Sequence, residues 1–280
     1  MHSGIPFDSS ICPDSTPKTV LTIAGFDPSS GAGITADLQV FAAFGLFGTA
    51  CITALTVQST TGVVSVTPVP DLIGPTLRTL DADLPPAGFK IGMLGTAEAV
   101  RAVTSHVRGW RATGCPVVLD PVLLSSSGAA LLDAEGVEAM KQELLPVVDW
   151  ITPNRAELAV LSGCPTGSPD EADAALLSLR KRYPHLHIVA TGGELSRPVD
   201  TLLTPDGKLQ RFDAEHIDTT STHGTGCAFS SALLARLVLG DAPEAAVHAA
   251  KAFVTQALLS APGLGRGRGP MNLLWPLQNR

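Results

Sequence analysis

Short apolar runs alternate with amphipathic stretches from Thr19 onward, and this alternation constrains the fold more than any other feature of the chain. The runs Val20–Ala24, Ala50–Val57, Phe89–Met93, Val117–Asp120, Trp150–Thr152 and His187–Ala190 read as strands. Between them, Ile34–Phe44, Ala97–Val107, Ala134–Leu144 and Pro169–Arg182 read as helices. Short, near-continuously apolar strands separated by helices predict an α/β fold with a mostly parallel sheet covered on both faces. Val199–Leu203 and Leu209–Phe212 flank Thr204-Pro205-Asp206-Gly207-Lys208, a turn sequence that predicts a small β-hairpin. Two long helices, about Gly224–Leu239 and Pro243–Ser260, follow.

At 280 residues, 45% of them hydrophobic, the chain can bury one large core. No linker or internal repeat divides it, so residues 19–280 are expected to form a single domain. Residues 1–18, with three prolines, read as a flexible N-terminal tail. The net charge of −7 comes with no Lys/Arg run, which argues against nucleic acid as a partner. No stretch of about 18 apolar residues implies a membrane span, and the first residues lack the pattern of a signal peptide. The five cysteines are odd in number and never spaced C-x-x-C, which argues against a disulfide framework or structural zinc. A reducing, cytoplasmic setting fits these features.

Four loops carry the chemistry. Thr222-His223-Gly224-Thr225-Gly226-Cys227 runs directly into an apolar helix. Glycines there allow a tight turn and close approach to a ligand, and free N–H groups at a helix start form an anion hole. It lacks the G-K-[ST] of a Walker A loop. The plainer alternative is a glycine-rich connection with no ligand. Asp27-Pro28-Ser29-Ser30-Gly31-Ala32-Gly33 follows the first strand, and Asp37 is expected in the first turn of the helix beyond, where it could simply favour the helix N-terminus. Asp120-Pro121 ends another strand. Asn154-Arg155-Ala156-Glu157 follows a further one, and is also an ordinary helix-capping pattern. Carboxylates beside phosphate donors point to Mg²⁺ held through few protein ligands, water and phosphates, without a dedicated all-protein metal site. The Gly-Arg stretch Gly263–Gly269 reads as a short terminal loop, with phosphate contact by its arginines the alternative.

In order and spacing, these segments resemble the hydroxymethylpyrimidine/phosphomethylpyrimidine kinases of the ribokinase-like superfamily. The resemblance rests on Thr22-Ile23-Ala24-Gly25-Phe26-Asp27-Pro28-Ser29-Ser30-Gly31-Ala32-Gly33-Ile34-Thr35-Ala36-Asp37-Leu38. Further matches are Ile52 through Gln58, Lys90-Ile91-Gly92-Met93-Leu94, Val118 through Val122, Ile151 through Glu157, and Thr222 through Cys227. It implies a ribokinase-like kinase domain that uses ATP with Mg²⁺. The substrates would be the hydroxymethyl group of an aminopyrimidine of thiamine synthesis, and then its monophosphate. It further implies that Gly25, Asp37, Gln58 and Met93 line the pyrimidine pocket. Gly224, Thr225, Gly226 and Cys227 would form the catalytic anion hole. Asn154, Glu157 and Asp120 would serve the Mg–phosphate end, and the protein would be a homo-oligomer, a dimer. Gln58 also makes independent sense, because a carboxamide offers the donor–acceptor pair complementary to an aminopyrimidine edge.

Cys227 stands where many ribokinase-like enzymes carry an Asp as catalytic base. A thiol near a helix N-terminus is expected to have a lowered pKa, which would let it take a proton. Two positions depart from the family's pattern: Thr191 and Ser126 stand where Lys is usual or frequent. They motivate one alternative, a degenerate, non-catalytic pyrimidine-binding protein; a pyridoxal-type kinase of the same superfamily is the other.

Overall fold

The computed structural model describes residues 16–124, 128, 130–193 and 198–278. Its strands are β1 (Thr19–Phe26), β2 (Phe47–Ser59), β3 (Gly62–Pro68), β4 (Phe89–Ile91), β5 (Val117–Leu119), β6 (Trp150–Ile151), β7 (His187–Ala190), β8 (Val199–Leu203) and β9 (Leu209–Asp213). They form one sheet in the order β3-β2-β1-β4-β5-β6-β7-β8-β9. Pairing is parallel from β2 through β7, and antiparallel where β3, β8 and β9 join. The hairpin expected at Val199–Phe212 is β8–β9.

Alternation along each strand sends successive side chains to opposite faces. Leu21 and Ile23 of β1, Phe89 and Ile91 of β4, and Val117 and Leu119 of β5 join one core. Helices α2 (Pro70–Asp83), α3 (Ala97–Trp110), α4 (Ala134–Ala139), α5 (Arg155–Ser162) and α6 (Pro169–Arg182) cover it. Val20 and Val118 join the other, under α1 (Gly33–Ala43), α7 (Thr225–Leu239) and α8 (Pro243–Leu259). By the same alternation, Thr22 and Lys90 belong to the α1/α7 side, where a polar group needs partners.

Some elements differ from expectation. β3 and α2 are not announced by apolar periodicity: β3 is largely exposed, and α2 carries Gly74 and Pro75 in its body. The helix expected over Ala134–Leu144 is α4 followed by a π-helical turn at Met140–Leu144. A short α9 (Trp275–Gln278) closes the described chain. The expected tail falls mostly on residues 1–15, outside the described residues, as does Ser126.

Candidate active site

β1 lies between β2 and β4, so the chain leaves β1 toward one side of the sheet and returns to its other side. Such a switch point opens a crevice at the strands' carboxyl ends. The loops after β1, β4, β5, β6 and β7 all emerge there, and the loop into α7 joins them.

Gly224 is the cap residue of α7 and has φ 76°, in the left-handed region. A Cβ on it would lie 1.9 Å from the Gly31 carbonyl oxygen, so glycine is required twice over. No side chain caps α7 or α1, so the first N–H groups of both helices are left for another acceptor. The two helix starts adjoin, because a Cβ on Gly224 would also lie 3.0 Å from Cα of Ala32, the cap residue of α1. Thr225 and Gly226 form the first turn of α7, and Gly226 is exposed. Its missing Cβ would face the Asp120 carboxylate at 3.7 Å, with room to spare.

Beneath this turn lies a buried polar cluster. Lys90 and Asp37 are both 0% exposed. Lys90 Nζ sits 2.9 and 3.0 Å from the two Asp37 carboxylate oxygens. Thr22 Oγ1 donates to Asp37 at 2.6 Å, and Ser231 Oγ of α7 donates at 2.8 Å. Asp37 therefore corrects two expectations. It lies beyond the first turn of α1, and it is sealed beneath the pocket rather than lining it, with its oxygens taken by Lys90, Thr22 and Ser231.

Burial works against the charge on Lys90, but the Asp37 carboxylate outweighs it and raises its pKa. Asp120, at the end of β5, is pushed up by burial and by the Asp37 carboxylate; Lys90 and the Ser230 hydroxyl, 3.3 Å away, pull it back. Cys227 is half-buried, and desolvation pushes its thiol up to about 12, helped by Asp120 and Asp37 against Lys90. This reverses the expected lowering: the helix start is present, but two carboxylates and burial prevail. The thiol is neutral near pH 7.

At the pyrimidine end, a Cβ on Gly25 would lie 3.0 Å from Met93 Sδ, so those two residues stand together on β1 and beyond β4. A register shift in the β1–β2 pairing at Ala24/Gly25 accompanies them, and Thr53 Oγ1 donates to the Met93 carbonyl at 2.6 Å. Gln58, near the end of β2, is half-buried, with its side chain beside Asp27.

Asn154 and Glu157 form a full capping box on α5. Glu157 N–H donates to Asn154 Oδ1 at 2.9 Å, and Asn154 N–H donates to Glu157 Oε2 at 2.9 Å. The capping alternative is thus realised in full. Thr191 bridges to Asn154 and donates its N–H to the Pro153 carbonyl. Nearby, Asp200 accepts the Gly192 N–H at 2.9 Å and pairs with Lys251 at 2.8 Å.

Sequence reasoning did not single out Lys90, Asp27 or His223 as site residues. A lysine inside an apolar strand run was the available signal for Lys90, since a buried lysine needs a partner.

Comparisons with known proteins bear on the same residues. A family model described as phosphomethylpyrimidine kinase matches residues 27–272. A hydroxymethylpyrimidine/phosphomethylpyrimidine kinase from Haemophilus influenzae is 39% identical over 260 residues, 91% of this chain and 96% of that one. Among solved structures, a Bacillus subtilis pyridoxal kinase in complex with ADP superposes with a TM-score of 0.83 at 29% identity, covering 95% of this chain and 100% of that one. A phosphomethylpyrimidine kinase from Clostridium difficile does so with a TM-score of 0.75 at 31% identity, covering 86% and 99%.

Proposed function

This chain belongs to the phosphomethylpyrimidine kinase family, and we propose that residues 19–280 act as one kinase domain in thiamine biosynthesis. It transfers the γ-phosphoryl group of ATP to the hydroxymethyl group of 4-amino-5-hydroxymethyl-2-methylpyrimidine, and then to the resulting monophosphate. The carrying observation is that the uncapped start of α7, at Gly224–Cys227, stands over one crevice with Gly25, Met93 and Gln58.

Roles follow from the chemistry of each group. Gln58 reads the aminopyrimidine edge, and Gly25 and Met93 line the pocket for the ring. The N–H groups of Thr225, Gly226 and Cys227 stabilise the transferring phosphoryl group, where charge spreads over its oxygens. Asp120 is a hard oxygen donor beside that turn, and a divalent cation would favour its ionised form; it fits Mg²⁺ held mainly by the triphosphate. Bound there, Mg²⁺ would neutralise phosphate charge. Asn154 and Glu157 act by fixing the start of α5, whose N-terminal dipole faces the phosphate end. Cys227 stays neutral throughout. Phosphoryl transfer through a loose transition state asks little of a base in the first step, and in the second the nucleophile is already ionised.

The edge hairpin β2–β3 exposes Ile52, Leu55, Val57 and Val64. An exposed apolar sheet edge invites pairing, and a second copy of this chain is the proposed occupant. Light scattering should report a dimer that Val64→Lys dissociates.

The test of function is coupled ATP consumption by purified protein, with hydroxymethylpyrimidine, its monophosphate and pyridoxal side by side. Turnover of both pyrimidines above pyridoxal supports the reading. Preference for pyridoxal moves it to the pyridoxal kinases, and no turnover with any of the three leaves a binding protein.

A further inference from the structure

A single carboxylate joins the two ends of this site. Asp27 is nearly inaccessible, and its side chain takes four hydrogen bonds. Ser29 gives its N–H at 2.8 Å and its Oγ at 2.7 Å to Oδ1, and Ala32 N–H reaches Oδ2 at 2.9 Å. His223 Nε2 lies 2.7 Å from Oδ2, and the Gln58 side chain adjoins the same carboxylate. Burial alone would raise the pKa of Asp27, but His223, Gln58 and Ser29 outweigh it and hold the carboxyl well below the usual range. An ionised carboxylate accepts only, so the Gln58 amide must turn an N–H toward it. That fixes which way the amide points: its oxygen and its second N–H are left for the substrate. His223 is held in the same way, one residue before Gly224. A side chain at Gly31 would meet the His223 ring at 2.3 Å, so the loop closes directly onto it. Ser30 is held at φ 60°, a conformation a non-glycine residue adopts only when its surroundings impose it.

A second, external link joins the same two elements. Arg268 N–H donates to the Thr60 carbonyl at the tip of the β2–β3 hairpin. Gly269 N–H donates to the Thr220 carbonyl, and His223 N–H donates to the Gly269 carbonyl. Side chains at Gly265 and Gly267 would collide with Thr60, which explains the glycines of this stretch. Its arginines are exposed.

Resting on the kinase reading above, we infer that Asp27 is a positioning residue. It sets the orientation of Gln58 and His223 together, so that the groups that read the ring and the loop that holds the phosphoryl group keep one fixed relation.

The experiment is steady-state kinetics with hydroxymethylpyrimidine and ATP varied in turn, on wild type, Asp27→Asn, Gln58→Leu and the double variant. Asparagine puts an N–H where acceptors are needed, so Asp27→Asn should raise KM for the pyrimidine roughly tenfold, leaving KM for ATP unmoved. In KM for the pyrimidine, the double variant should be no worse than Gln58→Leu alone within about twofold, because that positioning effect vanishes with the group positioned, while loss through His223 falls on kcat. Independent multiplication of the two losses overturns the inference. So does a fall in activity that merely tracks melting temperature, with both KM values unchanged. Should Asp27→Asn not fold, His223→Leu, His223→Gln and Gln58→Leu read the same coupling. His223→Gln, which keeps a side-chain N–H, should recover most of what His223→Leu loses, and His223→Leu with Gln58→Leu should be non-additive; additivity overturns it. Wild type inactive on both pyrimidines would remove the kinase reading and this inference with it, whereas active wild type with additive variants removes only the inference.

Discussion

Removing Lys90 should damage the protein far more than removing the aspartate it faces. Both groups are fully buried, and Lys90 is the cation balancing Asp37 with Asp120 close by. Lys90→Met leaves an aspartate in the interior with hydroxyl donors only, those of Thr22 and Ser231. Breaking a buried pair from one side costs about 3–5 kcal/mol. For a domain near this size each kcal/mol moves Tm by roughly 2–4 °C, so a fall of about 10 °C is expected. Asp37→Asn is different. It leaves Lys90 with a second carboxylate, Asp120, whose burial-raised pKa can come down to supply the counter-charge. The hydroxyls of Thr22 and Ser231 can rotate to suit the amide. The expected cost is about 1–2 kcal/mol, a lost charge-assisted contact. The double variant Lys90→Met/Asp37→Asn removes both charges and should recover part of the single Lys90→Met loss. Thermal and urea unfolding of the three variants measure this. Equal losses for the two single variants, with the double equal to their sum, would refute the charge-balance reasoning.

The two glycines at the start of α7 should behave oppositely. Gly224→Ala should unfold or strongly destabilise the protein, since φ is 76° and the Cβ meets a carbonyl at 1.9 Å. Gly226→Ala should keep or raise Tm, gaining up to about 1 kcal/mol of helix propensity, while losing turnover to a methyl group on the exposed face where a phosphoryl group must sit. The Cys227 thiol, pushed up to about 12, should be alkylated by iodoacetamide at pH 8 more slowly than an ordinary thiol by about two to three orders of magnitude. Mass spectrometry of the peptide should show the rate rising about tenfold per pH unit, and a plateau near pH 8 would contradict a neutral thiol. Asp27, whose folded pKa is depressed, contributes stability that is present in full above its unfolded pKa of about 3.9 and fades as pH falls further. The Tm gap between wild type and Asp27→Asn should therefore be constant from neutral pH to about 5 and shrink below about 4; a gap closing already at pH 6 would point to another group.

Much of the fold was legible because strand burial on both faces leaves a plain apolar signature. β7, α6 and the β8–β9 hairpin are found within a residue of where the pattern puts them. β3 was not legible, since an exposed edge strand needs no apolar repeat, and Pro75 inside α2 argues locally against the helix that packing enforces. Within the candidate site, the glycine loop was proposed from its residue types and Gln58 from the resemblance to the family. Asp37 was misplaced because sequence spacing puts it near the pocket without showing that Lys90, 53 positions later, claims its carboxylate from the next strand. The Asp27–His223 contact spans 196 positions, and no local pattern announces it.

The same cluster explains why a cysteine suits position 227. Lys90 and Asp37 balance each other, burial raises the pKa of Asp120, and the Cys227 thiol is uncharged. The positive end of α7 therefore faces the crevice with Asp120 beside it and no further carboxylate from position 227. An aspartate at 227 would be a third carboxylate around a single lysine. Like charges about 4 Å apart at an effective dielectric near 20 repel by about 4 kcal/mol, and a substrate monophosphate would meet that repulsion where an alcohol would not. A site that must accept first a neutral alcohol and then its dianionic phosphate is served by a group that carries no charge in either step.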